Sequence, residues 1–283
     1  MQMLGLVHLL LEVVGLLLWL RWREDMLQSS RRLAGSALLT TLKKAGTARA
    51  YRWTFLGLLG GLILVRAVAY RQLGPRLGWT PEINVCVLPL YFRSDLFVRM
   101  LLFSFFSQIV FLAKFYYCLV LLSALNRKVT DTDSLQNRVR AHVGWVDRWP
   151  GPLKLLWPFL VGGLIWALFS PLFAELGFFP SSKTFNQSVE QAAVMGLAAY
   201  LVWKYLIAGF LLLYLIASYI YFGRSPFWAF IHVTGRNLLQ PIQWIPLRLG
   251  RIDLAPLVVS ALVLFLADRA EHWLPNLYQH LLL

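Results

Sequence analysis

The chain has 283 residues, 59% of them hydrophobic and 14% charged, with a formal net charge of +14. A soluble globular domain sits near roughly 45–50% apolar and about 25% charged, so this composition excludes an ordinary soluble fold and indicates an integral membrane protein. The apolar runs are continuous rather than alternating, which favours membrane helices over a barrel and predicts an all-α, polytopic architecture.

The first predicted span is Leu4–Leu20, ending in the interfacial anchor Trp19, Arg21, Trp22 and Arg23. No basic residue precedes it and no small-residue cleavage site follows, so it reads as a retained span with its N-terminus outside, not a signal peptide. A polar connector runs to Arg52, and span 2 is Trp53–Tyr70. A loop with Pro75, Pro81 and Pro89 follows, in which Leu88–Phe92 can dip into the interface. Span 3, Leu96–Leu125, would be about 45 Å long as one helix, so part of it must tilt or protrude. The connector Asn126–Lys154 leads to span 4, Leu155–Leu172, and the loop Phe173–Gln191 leads to span 5, Ala192–Phe222. The last connector precedes span 6, Leu254–Ala267, and a short tail with Trp273 and Tyr278.

The basic residues are distributed unevenly. The connectors after spans 1, 3 and 5 carry eight, six and four Lys or Arg, against five on the opposite side. The positive-inside rule then places the connectors in the cytoplasm and both termini outside. It also explains the net charge without a nucleic-acid partner, for which no recognition module is present. Arg31, Arg32, Lys43, Lys44, Arg127, Lys128, Arg138 and Arg140 are expected to face anionic lipid headgroups. Leu135, Val139, Val143 and Val146 share one helical face, as do Phe227, Phe230, Ile231, Thr234 and Leu238. Each set predicts an amphipathic helix, lying in the interface or packed on the bundle.

An internal repeat is visible. Gly60-Gly61-Leu62-Ile63 recurs as Gly162-Gly163-Leu164-Ile165, Leu73-Gly74 as Leu176-Gly177, and Arg127–Pro158 parallels Arg224–Pro256. The chain therefore reads as three tandem hairpins of span, amphipathic connector and span. They occupy residues 1–80, 96–177 and 192–283, with external loops at 81–95 and 178–191. Both glycine pairs suit close helix packing.

The stretch Ser225–Val258 is the best-preserved connector. Pro241 and Pro246 stop its helix, and Pro256 falls in the first turn of span 6, where a missing N–H costs nothing. Asp253 is placed either to cap that span or to bind a ligand. Ser225-Pro226-Phe227, Thr234, Leu239-Gln240-Pro241-Ile242, Ile245-Pro246 and Gly250-Arg251-Ile252-Asp253-Leu254-Ala255-Pro256 resemble the signature of the YggT family, small bacterial inner-membrane proteins with plastid relatives. The likeness covers about residues 195–267, and the first two hairpins share it in outline. Departures are Ser225 for Asn, Gln243-Trp244 for basic residues, Arg251 for Gly and Ala255 for Ser. The resemblance implies a non-enzymatic role in envelope organisation, osmotic-stress tolerance or membrane-complex assembly. Among plastid relatives it implies haem attachment to cytochrome b6. It supplies no catalytic residues.

Ionisable residues deep in spans are the remaining candidates. Arg66 and Arg99 lie near span ends, where they can snorkel; Lys204 lies deeper. Glu12 and Lys114 sit roughly 14 and 20 Å from the cytoplasmic end of two spans running the same way, which predicts a buried pair, structural or on an ion pathway. His8, His142, His232, His272 and His280 show no convergence that would hold metal or haem. Cys86 and Cys118 show neither metal-ligand spacing nor a disulfide framework. No phosphate loop, nucleophile constellation or paired carboxylates occur, so no cofactor and no catalytic residue are expected. The expected role is a scaffold or assembly factor whose partners are membrane lipids and another membrane protein or a second copy. The alternative is a small ion channel or transporter using Glu12 and Lys114.

Overall fold

The computed structural model describes residues 2–35, 41–75, 79–85, 88–92, 94–127, 134–175, 184–220, 222–223, 225–242, 244, 248–249 and 252–280. Among the described residues long helices dominate, with two short two-stranded ribbons. Five helical stretches among the described residues are long and apolar enough to cross a membrane: Gly5–Leu27, Trp53–Leu73, Phe97–Leu125, Gly151–Pro171 and Phe185–Tyr219. The chain is an all-α, membrane-type protein. It divides into two compact units, residues 1–85 with 89–113 and residues 86–88 with 114–283, so the boundary falls inside one helix.

In the first unit, α1 (Gln2–Gly35) packs along α2 (Thr41–Leu73). Both run well into the predicted connector, which is therefore a helical extension of each span and not a separate element. The sequence has no proline before Pro75 to stop them, and Arg, Lys, Leu and Ala are good helix formers. The interfacial anchor stays ordered, with the Arg23 guanidinium 5.0 Å above the Trp19 ring. α2 ends at a Gly-Pro stop, where Gly74 N–H donates to Tyr70 O at 2.8 Å. A Cβ on Gly74 would meet Ser94 Cβ at 2.5 Å and the Tyr70 carbonyl at 2.7 Å, so this close approach requires glycine.

The loop expected at 81–95 holds a ribbon, β1 (Glu82–Val85) with β2 (Leu88–Tyr91). Alternation sends Ile83 and Leu90 inward, and Phe92 N–H closes the ribbon on Pro81 O at 2.9 Å. α3 (Phe97–Leu125) then begins.

The second unit contains the end of α3, α4 (Ser134–Val143), a 3₁₀ turn at Gly144–Arg148, and α5 (Gly151–Glu175). α6 (Phe185–Ala198) follows, opened by a reciprocal capping box between Thr184 and Gln187. That box starts the helix inside the loop expected at 178–191, ahead of Ala192. A 3₁₀ segment at Ala199–Val202 joins α6 to α7 (Trp203–Tyr219). Straight, Phe185–Tyr219 would be about 50 Å long against a bilayer core of about 30 Å, so the change of helix type divides an over-long element. α8 (Pro226–Leu239) is capped by the Ser225 hydroxyl, which accepts from Trp228 N–H, and starts with Pro226 in its first turn. β3 (Arg248–Leu249) pairs antiparallel with β4 (Ile252–Asp253) before α9 (Ala255–His280). The sixth expected span, Leu254–Ala267, is the first half of α9, which is not among the five long apolar stretches because Asp268, Arg269 and Glu271 follow directly. The expected tail is the second half of the same helix, with Leu274 and Tyr278 buried.

The two copies of the Gly-Gly-Leu-Ile element are used differently. A Cβ on Gly162 would lie 3.2 Å from Ala199 Cβ, one on Gly163 2.9 Å from Ala192 O, and one on Gly196 2.6 Å from Phe159 O. These three glycines let α5 and α6 touch backbone to backbone. Cβ atoms on Gly60 and Gly61 would meet nothing within 4 Å, so close packing explains the second copy only. Gly196→Ala is expected to cost about 1–3 kcal/mol, because the opposing atom is rigid backbone, whereas Gly60→Ala is neutral or stabilising by up to about 1 kcal/mol. Thermal unfolding of the two variants in one detergent checks this contrast.

Candidate functional site: two buried polar clusters

The first unit holds a polar network on facing surfaces of α1, α2 and α3. Positions 8 and 12 on α1, 66 and 70 on α2, and 104, 107 and 108 on α3 recur at helical spacing, so each set shares one face. Arg66 and Ser104 are fully buried, and Gln108, Tyr70 and Ser107 nearly so. Arg66 is thus not a snorkelling residue, although it lies near the end of a span. Its Nη1 donates to Gln108 Oε1 at 3.1 Å and its Nη2 to His8 Nδ1 at 3.2 Å. Tyr70 Oη lies 3.0 Å from the same ring nitrogen.

A guanidinium can only donate, so Nδ1 must present its lone pair and the His8 proton resides on Nε2. Nε2 lies 3.1 Å from Glu12 Oε1 and 3.2 Å from Ser107 Oγ. Ser107 also donates to Glu12 Oε1, and Gln108 Nε2 reaches the Glu12 carbonyl at 3.4 Å. One anion, one cation and one neutral imidazole make the network neutral overall, as burial in an apolar medium demands. Tyr70, Trp79, Phe92 and Phe103 surround it with edge-on contacts at ring separations of 5.2–6.0 Å, and His8 stacks on Phe103 at 5.4 Å.

The carboxylate partners of Glu12 are therefore His8 and Ser107, with Arg66 as the nearby cation. Lys114, the partner expected from span direction, stands half-buried on α3 seven residues beyond Ser107, roughly 10 Å further along that helix. The sequence shows His8, Glu12 and Arg66 as isolated polar residues within apolar runs. Their common helical phase is the signal that joins them.

The second cluster lies where the α3 chain turns into the connectors of the second unit. Three carbonyls at the end of α3 receive side chains from α4 and α8. Asn237 Nδ2 donates to Leu125 O at 3.1 Å, Gln136 Nε2 to Asn126 O at 3.4 Å, and Arg140 Nη2 to Asn126 O and Arg127 O at 3.4 and 3.2 Å. The fully buried Asn126 completes this clasp, donating to Thr234 Oγ1 at 2.8 Å and accepting from Asn237 Nδ2 at 2.9 Å. Arg140, expected to face headgroups, instead caps a helix C-terminus, where a cation meets the negative end of the dipole. Arg127 and Arg138 are exposed. Lys128 and Pro246 lie outside the described residues, as do the side chains of Arg31, Arg32, Lys43 and Lys44. Asn126→Ala is expected to cost about 2 kcal/mol, since it strands the buried Thr234 hydroxyl and the Asn237 amide. Hydrogen exchange in α4 and α8 checks it, with faster exchange in both helices expected.

Beside the clasp, Lys154 is 1% exposed and donates to Asp147 Oδ1 and Ser123 Oγ, both at 2.8 Å. Ser123 Oγ donates to Asp147 Oδ1 at 2.5 Å. Partial burial acts to raise the Asp147 pKa. The bonds from Lys154 and Ser123 and the charges of Lys154 and Arg140 outweigh it and hold the carboxyl below its ordinary value. The sequence carries an overlooked signal here. Gly144-Trp145-Val146-Asp147-Arg148-Trp149-Pro150 repeats the pattern Gly-x-hydrophobic-Asp-x-x-Pro of Gly250–Pro256. Matching Arg127–Pro158 to Arg224–Pro256 sets the two aspartates out of register. Asp253 Oδ1 accepts from Ala255 N–H at 3.0 Å at the start of α9, and Pro256 follows within its first turn. Pro241 lies in the 3₁₀ turn Gln240–Ile242 that closes α8.

Lys204 pairs with Glu271 at 2.5 Å across α7 and α9, and its ammonium lies 4.6 Å from the Tyr205 ring centre. Among the described residues no three His, Cys, Asp or Glu side chains converge to hold a metal ion. The helical membrane character is thus fixed by the fold, while no protein-family model, curated protein or solved structure matches this chain.

Proposed function

We propose that this integral membrane protein is a non-enzymatic scaffold or assembly factor of the bacterial inner membrane, related to the YggT proteins and acting in envelope organisation under osmotic stress. In this reading both termini are periplasmic and the connectors lie on the cytoplasmic leaflet. The observation that supports it best is the Asn126 clasp, which fixes α4 and α8 as one unit on the end of α3. A flexible loop would lose ordering entropy on binding, whereas a preformed pair of helices does not. Arg127, Arg138, Arg148 and Arg236 are exposed around the clasp, as are Trp145, Phe227 and Trp244. Basic and aromatic groups together suit an anionic leaflet or an acidic membrane partner.

The test is affinity capture from mild detergent, comparing the wild type with Arg138→Glu/Arg236→Glu. A stable membrane partner or self-associated complex that the double variant loses supports the scaffold. Equal capture by both, or none by either, counts against it.

The buried Glu12 network favours a second reading, passage of an ion or proton through the first unit. Ionisable groups inside a membrane span mark such pathways by default. Ion flux into vesicles that Glu12→Gln abolishes would replace the scaffold with this reading.

A further inference from the structure

The C-terminal end of α2 and the start of α3 border a groove of about 400 Å³ lined by Val68, Arg71, Gln72 and Phe97. All four belong to the first unit. Arg71 lies in the last turn of α2, at the C-terminal end of the apolar stretch Trp53–Leu73, where a span meets the headgroup region. Its side chain is exposed, and among the described residues it has no hydrogen-bond or ion-pair partner. That sets it apart from Arg66 and Arg140, whose guanidinium groups donate hydrogen bonds within the fold.

Val68 and Phe97 are the apolar part of its lining, and the surface of both helices below it is apolar. Leu64 and Val68, 51% and 44% exposed, precede Arg71 and Gln72 on one stripe of α2 at helical spacing. Phe97, Leu101 and Phe105 continue at four-residue spacing down α3. A groove charged at the membrane surface and apolar toward the core complements an amphiphile with an anionic head. It does not suit a soluble anion, which would gain nothing from the apolar walls. The volume is in the range of small-molecule sites, and planar guanidinium is the group best matched to a phosphate.

We propose that this groove is a binding site for an anionic phospholipid. The phosphodiester meets the Arg71 guanidinium with the Gln72 amide beside it, and one acyl chain lies along Leu64 and Val68. The site is separate from the basic connectors and does not depend on the scaffold or passage readings.

Native mass spectrometry of the full chain, released from mild detergent with phosphatidylglycerol, phosphatidylcholine or inorganic phosphate added, tests it. Retained phosphatidylglycerol, lost about tenfold in Arg71→Gln and restored in Arg71→Lys, is the expected result, a tenfold change being the size of one charge-assisted hydrogen bond. Val68→Trp, which fills the groove without touching the charge, is expected to lower occupancy as well. Arg269→Gln, exposed on α9 in the second unit, is expected to leave it unchanged. Equal retention by wild type and Arg71→Gln, equal retention of phosphatidylcholine, or displacement by inorganic phosphate overturns the proposal.

Discussion

Asp147→Ala is expected to lower the stability of the second unit by about 3 kcal/mol, more than a hundredfold in the folded-to-unfolded ratio. Its effect falls on Lys154, whose ammonium is 1% exposed and would keep Ser123 Oγ as its remaining partner. Breaking a buried pair by removing one member costs more than the pair itself contributes, because the other charge is left desolvated. The reciprocal variant, Lys154→Met, is therefore expected to cost less. It removes the buried charge, fills the space with an apolar chain, and leaves Asp147, 24% exposed, to water. Thermal unfolding of both variants in one detergent checks the order, and a Lys154→Met loss larger than that of Asp147→Ala would refute it.

The same pair predicts a pH dependence. The folded-state pKa of Asp147 is lowered, so its contribution is fully present above the carboxyl's ordinary value. It is lost as pH falls through the lowered folded-state value. Wild type is expected to lose stability in that acid window, and Asp147→Ala to lose less over the same range. Parallel melting curves for the two proteins through the window would remove Asp147 from the account.

Arg66→Leu is expected to cost about 3 kcal/mol in the first unit. The change removes the donors to Gln108 Oε1 and His8 Nδ1 and takes the cation from beside the Glu12 carboxylate. The double variant Arg66→Leu/Glu12→Gln is expected to lose less than the sum of its two single changes, since Glu12→Gln removes the charge that Arg66→Leu leaves unbalanced. Arg66→Lys retains the charge but not the fork of donors and is expected to fall between wild type and Arg66→Leu. A wild-type melting temperature for Arg66→Leu would mean that Arg66 reaches the membrane surface, as its position near a span end suggests.

The sequence by itself determined the class and much of the local structure. Apolar run length marks the membrane helices, because a backbone in hydrocarbon must satisfy its own hydrogen bonds. Ser225 and Pro226 open α8, Pro241 sits in the turn that closes it, and Asp253 meets the start of α9, since caps and helix stops depend on near neighbours in the chain. The tertiary structure decided which charges meet and which glycines matter. At 3.6 residues per turn, each residue moves a side chain about 100° around its helix, so the partner of a buried charge depends on the rotation of packed helices, which no single span encodes. Glu12 therefore meets His8 and Ser107, Arg66 turns inward to Gln108, and Arg140 caps α3. Identical Gly-Gly pairs lie against a helix in α5 and in open space in α2 for the same reason: a small side chain permits close approach, and only a neighbouring helix makes use of it.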